Sequence, residues 1–195
     1  MTKAQLLVIA EDMSLSVSRS NTKAEIIAAI LDAQTIESVP VQDGTLTFTG
    51  ETQSPAWDDY DDKQLAISGA TSGTNAGTYT ATFTPIQGEV SGHEWYDETF
   101  EAKNATWEIG KAAGSITLSA DSAELSAETT TAEITVTATG VISVDTDDAE
   151  VATATESGGT ITITRAGAGT ATITVTSAAS DNYESTTADI TVTSE

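Results

Sequence analysis

The chain has 195 residues, no cysteine, and 30 acidic against 7 basic side chains, for a net charge of −23. This excludes a disulfide framework, a thiol nucleophile and a cysteine metal cluster, and so acidic a surface repels phosphate backbones and anionic membranes. Apolar residues make up 38% and aromatic residues only 5%, so the cores must be small and rich in Ala, Val, Ile and Thr.

Residues 1–34 read as two short helices. Thr2 and Thr22 are both N-cap types, each followed by Lys-Ala, and Thr22 with Glu25 forms a capping box. Apolar residues recur at helical spacing after each cap, and Leu15-Ser-Val-Ser18 alternates between them as an extended link. Through Thr2-Lys-Ala-Gln-Leu-Leu and Thr22-Lys-Ala-Glu-Ile-Ile, this stretch resembles the helix-extended-helix family, related to the N-terminal domain of the terminator Rho and to SAP modules. The resemblance implies a small anchoring unit. Some relatives bind nucleic acid, but here three bases face five acids over residues 1–38, so no basic stripe exists. A protein partner is expected, with Leu6, Leu7, Ile26, Ile27 and Ile30 as the docking set. Residues 35–40, polar and ending in proline, read as a linker.

A first β-sandwich is expected over 41–111. Leu46–Phe48, Lys63–Ile67, Thr78–Thr84 and Ala105–Ile109 read as strands, and Gly44, Gly69, Gly73, Gly77 and Gly88 punctuate the turns. Gly44-Thr-Leu-Thr-Phe-Thr-Gly50, Gln53-Ser-Pro-Ala-Trp57, Gly73-Thr-Asn-Ala-Gly-Thr-Tyr79 and Thr106-Trp-Glu-Ile-Gly-Lys111 together resemble bacterial immunoglobulin-like repeats of surface and phage proteins.

A second sandwich is expected over 112–195, with seven strands: Ser115–Leu118, Glu133–Ala138, Val141–Val144, Val151–Thr155, Thr160–Arg165, Thr170–Thr176 and Ala188–Thr193. Gly158-Gly159 marks a hairpin turn. Val151-Ala-Thr-Ala-Thr155 with Ala168-Gly-Thr-Ala-Thr-Ile-Thr-Val175 is similar to the group 2 bacterial immunoglobulin-like family. The two sandwiches share one text: Asn75-Ala-Gly-Thr-Tyr-Thr-Ala-Thr-Phe-Thr84 repeats as Gly167-Ala-Gly-Thr-Ala-Thr-Ile-Thr-Val-Thr176. Alternation with threonine makes each copy a strand with one apolar face, expected at the centre of its sandwich. The fold class is therefore mainly β, with two tandem immunoglobulin-like sandwiches after a small two-helix unit.

Chemistry-bearing residues are sparse. Four carboxylates fall within Asp58-Asp59-Tyr60-Asp61-Asp62, and three within Asp145-Thr-Asp147-Asp148. Both read as solvated acidic turns. A weak calcium site at Asp145, Asp147 and Asp148 is the alternative, although neither run has the glycine and distal glutamate of a helix–loop–helix site. His93 is the sole histidine and has neither zinc-ligand spacing nor a nucleophile elbow nearby. Trp57 and Trp107 read as core. Trp95 and Tyr96 sit in a polar stretch and are the candidates for stacking on a glycan. No catalytic residue, resident metal or cofactor is expected, and the chain does not read as an enzyme.

Residues 39–111 carry twelve acids and three bases, and residues 112–195 thirteen and one. A nearly neutral helical end thus precedes two acidic modules. Leu6–Ala10 is too short for a secretory signal, and no run approaches a membrane span. Modules that resemble surface proteins, without an export signal, suit a phage virion protein assembled in host cytoplasm. The expected role is a capsid decoration or head-fibre protein that docks on the major capsid protein or another virion protein, with a homo-oligomer as a further option, without nucleic acid or membrane. The alternative is an adhesion or receptor-binding module of a phage tail or bacterial surface that touches host surface glycan.

Overall fold

The computed structural model describes residues 1–87 and 92–195; Gly88, expected to mark a turn, lies outside the described residues. Two compact units emerge. One holds Met1–Leu46 and Glu51–Ile109, the other Thr47–Gly50 and Gly110–Glu195.

The first unit opens with α1 (Lys3–Asp12) and α2 (Lys23–Gln34). Each begins in a reciprocal capping box. The Thr22 N–H donates to Glu25 Oε2 at 2.7 Å, while the Glu25 N–H donates back to Thr22 Oγ1 at 3.2 Å. Thr2 and Gln5 do the same at α1, at 2.7 and 3.3 Å. These bonds satisfy amides that have no partner within the helix. The helices meet through Leu6, Ile9, Ala10, Ile26 and Ile30, and Leu15 and Val17 of the extended link pack against that cluster.

The strands of this unit are β1 (Thr35–Ile36), β2 (Val41–Asp43), β3 (Leu46–Thr47), β4 (Ala56–Asp58), β5 (Leu65–Gly69), β6 (Gly77–Pro85), β7 (Glu94–Trp95) and β8 (Lys103–Gly110). A four-stranded sheet runs β3-β8-β6-β5, beside the pairs β2-β4 and β1-β7. Thr35–Ile36, expected in a linker, instead pairs in parallel with Glu94–Trp95, and Ile36 and Pro40 are buried. Two residues are too short to show any period, so nothing local announces this bridge. Inside, Phe83 is met edge-on by Trp57 at 4.9 Å between ring centroids, and Tyr79 stacks on Trp107 at 4.4 Å.

The second unit contains β9 (Ile116–Leu118), β10 (Ser122–Leu125), β11 (Thr131–Ala138), β12 (Ile142–Thr146), β13 (Ala152–Ser157), β14 (Thr160–Arg165), β15 (Gly169–Ser177) and β16 (Thr186–Ser194). Sheets ordered β10-β16-β15-β12 and β13-β14-β11-β9 enclose one aliphatic core. The seven expected strands all form, with shifted ends, and β10 adds an eighth among the described residues. Its Ser-Ala-Glu-Leu text has weak β propensity, and it is held by parallel pairing to β16. Gly158 and Gly159 form the expected hairpin turn between β13 and β14, with φ of 61° and 82°. Positive φ at both central residues is what a tight turn matched to strand twist requires. Both repeat copies are interior strands of four-stranded sheets, β6 and β15.

Candidate functional site

The helical unit is the first place to look for a contact surface, and the expected docking set divides there into buried and exposed members. Leu6, Ile26 and Ile30 are buried between the helices, so they hold the unit together. Leu7 is half-buried. Ile27 is 37% exposed, and Leu31, which the helical pattern did not single out for docking, is 54% exposed. The reason is the roll of α2: Ile26 and Ile30 share the inward face, which leaves positions 27 and 31 on the neighbouring one. Met1, Ile27 and Leu31 rim an open groove of about 350 Å³ whose floor includes Leu6, Ile9 and Ile30, with Lys23 at its edge. Glu25 titrates below the usual glutamate range, chiefly because the Thr22 backbone N–H bonds its carboxylate.

The second place is the segment around β7. Trp95 and Tyr96, expected together in an open loop, part company. Trp95 is fully buried, with its Nε1 donating to the Glu101 carbonyl at 2.8 Å. It has no face free for a sugar ring. The strand pairing with Thr35–Ile36 is what turns it inward. Tyr96 is 62% exposed, and Phe100, not flagged by the sequence reading, is 53% exposed. Lys103 lies against Trp95 and Tyr96. Its ammonium sits 4.9 Å from the Trp95 ring centroid and 5.1 Å from that of Tyr96, and it pairs with Asp97 Oδ2 at 2.7 Å. That bond, followed by one from the Thr99 hydroxyl, holds the Asp97 carboxyl below the ordinary aspartate range. His93 places Nδ1 in a buried position without a partner among the described residues.

The third place is the run Trp57–Asp61. Read in the sequence as a core tryptophan followed by a solvated acidic turn, it forms one wall of a cavity of about 450 Å³. Trp57 and Tyr60 are both half-buried there. Both lean on Phe83, Tyr60 at 5.6 Å between centroids. Asp59 adopts φ 61° and accepts a 2.8 Å hydrogen bond from Ser38 Oγ. The available signal was the placing of two aromatic residues at Trp57 and Tyr60 within the acidic run, which a purely solvated turn does not need.

The C-terminal acidic turn behaves differently. Asp147 Oδ1 accepts the Thr172 N–H at 2.7 Å, and Asp148 Oδ1 accepts the Glu150 N–H at 3.0 Å. Asp145, Asp147 and Asp148 are not gathered toward one point: no cluster of three or more His, Asp or Glu placed to hold a metal occurs among the described residues. No helix among those residues is long and apolar enough to cross a membrane.

No protein-family model matches the chain, and no curated protein matches it in sequence. Solved structures do. The fibronectin(III)-like modules of Clostridium thermocellum CbhA align at 16% identity over 80% of this chain and 91% of theirs, with a TM-score of 0.33. Drosophila N-cadherin aligns at 12% identity over 80% of this chain and 47% of its own, with a TM-score of 0.34. A titin I-band fragment aligns at 11% identity over 80% and 63%, with a TM-score of 0.32. The protein is mainly β, with two helices ahead of its β modules.

Proposed function

We propose that the chain is a non-enzymatic structural protein of a phage virion, of the capsid decoration or head-fibre type, attached to a shell protein through its two-helix unit. The observation that carries this reading is the apolar groove rimmed by Met1, Ile27 and Leu31, in the one segment of the chain whose charge is close to balanced. Residues 1–38 hold five acids and three bases, while the rest of the chain holds twenty-five and four. A large acidic surface resists association and keeps particles apart. Adhesion therefore concentrates where charge is weak and apolar surface is open. Cysteine-free modules also suit folding in a reducing compartment.

Co-sedimentation of the full chain with empty shells of the particle that carries it tests this. Ile27→Asp with Leu31→Asp should abolish attachment, because a carboxylate buried in an apolar contact costs several kcal/mol, of order 3 or more. Both side chains are exposed in the free protein, so its circular dichroism should be unchanged. Attachment that survives the double change rejects the groove as the grip.

A second reading, a module that adheres to host-surface glycan, is favoured by Tyr96 and Phe100, two exposed rings within five residues. Loss of cell or glycan binding in Tyr96→Ala, with shell attachment intact, would support it. Unchanged binding would count against it.

A further inference from the structure

The protein builds one cation site for itself. At β7 and β8, the Lys103 ammonium lies over Trp95 and Tyr96 and is paired with Asp97. Aromatic faces attract a cation through their quadrupole, and a carboxylate supplies the opposing charge. The same parts recur in the cavity beside β4. Trp57 and Tyr60 line it with Asp58, Asp59 and Asp61, and Glu37 of the facing segment adds a fourth carboxylate. No lysine or arginine is among its lining residues; the nearest base in sequence, Lys63, is exposed and lies outside that lining. The rings are held by packing on Phe83, and Ser38 ties the two walls together through Asp59. The volume, about 450 Å³, is within the range of small-molecule sites.

We infer that this cavity binds an alkylammonium group, whose cation rests on Trp57 and Tyr60 and faces the Asp58, Asp59 and Glu37 carboxylates. The group can belong to an N-methylated amine such as choline or to the primary amine of a lysine side chain. A metal ion is a poorer fit, because no three of these carboxylates are gathered to hold one. A neutral sugar would use the rings but leave the facing carboxylates without a counter-charge.

The chain carries its own reporter. Trp95 and Trp107 are at most 1% exposed, so a contact-dependent change in tryptophan emission reports Trp57. Titration of the full chain with choline chloride, against sodium chloride at equal ionic strength, should give a saturable change. A second titration with an N-acetyl-lysine amide separates the two sources: saturation with choline alone assigns a methylated amine, saturation with the lysine derivative alone a lysine side chain, and both support an alkylammonium site. The uncharged isostere of choline, with carbon in place of nitrogen, should bind at least about tenfold more weakly, a loss of about 1.4 kcal/mol. Asp58→Asn with Glu37→Gln should weaken choline or lysine binding by a similar factor. The proposal falls if neither amine saturates beyond the sodium control, or if the neutral isostere binds as well as choline. The isostere comparison needs no variant, so it decides the matter even where the double substitution fails to fold.

Discussion

β6 and β15 carry the same text, yet they build different interiors. Both start at a glycine with strongly positive φ, 149° at Gly77 and 144° at Gly169, and both point every second residue inward. The inward set of β6 is Tyr79, Ala81, Phe83 and Pro85; that of β15 is Ala171, Ile173, Val175 and Ser177. Rings need partners of matching shape, so β6 recruits Trp107, Trp57 and Tyr60. Aliphatic residues need only close packing, and β15 joins a broad cluster with Ile161, Ile163, Ile190 and Val192. The alternation with threonine therefore sets the strand, while the residues between the threonines decide what kind of core it enters. The aromatic interior borders a cavity of about 450 Å³ at Trp57 and Tyr60, whereas the aliphatic one borders a smaller pocket of about 300 Å³ at Leu125.

This contrast can be broken most sharply at the cores. Trp107→Ala removes a ring that is 1% exposed and should cost about 4 kcal/mol. Its Nε1 also donates to the Ala70 carbonyl at 2.6 Å, which would lose that partner. Ile173→Ala, in the aliphatic core, should cost about 3 kcal/mol. All three tryptophans, Trp57, Trp95 and Trp107, lie in the first unit. Tryptophan emission should therefore follow the first substitution and be blind to the second, which circular dichroism detects. Equal effects on both signals would show that the two interiors do not melt independently.

A smaller effect separates the two glycines. An added Cβ at Gly77 meets nothing within 4 Å, whereas at Gly169 it falls 2.7 Å from Val151 Cγ2. Both positions carry backbone strain for an L-residue, roughly 1–2 kcal/mol, but Gly169→Ala also requires Val151 to move. Thermal denaturation should show the larger loss for Gly169→Ala. A reversed order would mean that backbone strain dominates over packing at both sites.

The smallest effect is electrostatic and belongs to the aromatic unit alone. The Asp97 carboxyl is held below its ordinary range by Lys103 and Thr99. A lowered folded-state value makes its contribution complete above the unfolded aspartate range and lost as pH falls through the folded value. Acid titration followed by tryptophan emission should show a transition below the usual carboxylate range that is absent in Asp97→Asn. Because Asp97 and Lys103 are both partly open to water, salt should weaken it. A transition that persists in Asp97→Asn assigns it to another group.

Much of this architecture was written locally. The caps at Thr2 and Thr22 mark both helix starts because a side-chain oxygen three residues from a free amide is a short-range fit. The alternating runs at Thr78–Thr84 and Thr170–Thr176 mark interior strands because the pleat has a period of two. The diglycine at Gly158-Gly159 marks its turn because only glycine takes two positive φ values cheaply. Tertiary structure alone decided the rest. Trp95 and Tyr96 are neighbours in the chain, yet one is sealed and the other open, because Thr35–Ile36 arrives from far away to pair beneath the first. Ser122–Leu125 becomes a strand only because β16 offers an edge to it. Trp57 and Tyr60 become the walls of a cavity only when Glu37 and Ser38 close the opposite side. Periodicity and capping are decided within a few residues of chain, whereas the exposure of a side chain depends on which distant segment comes to cover it.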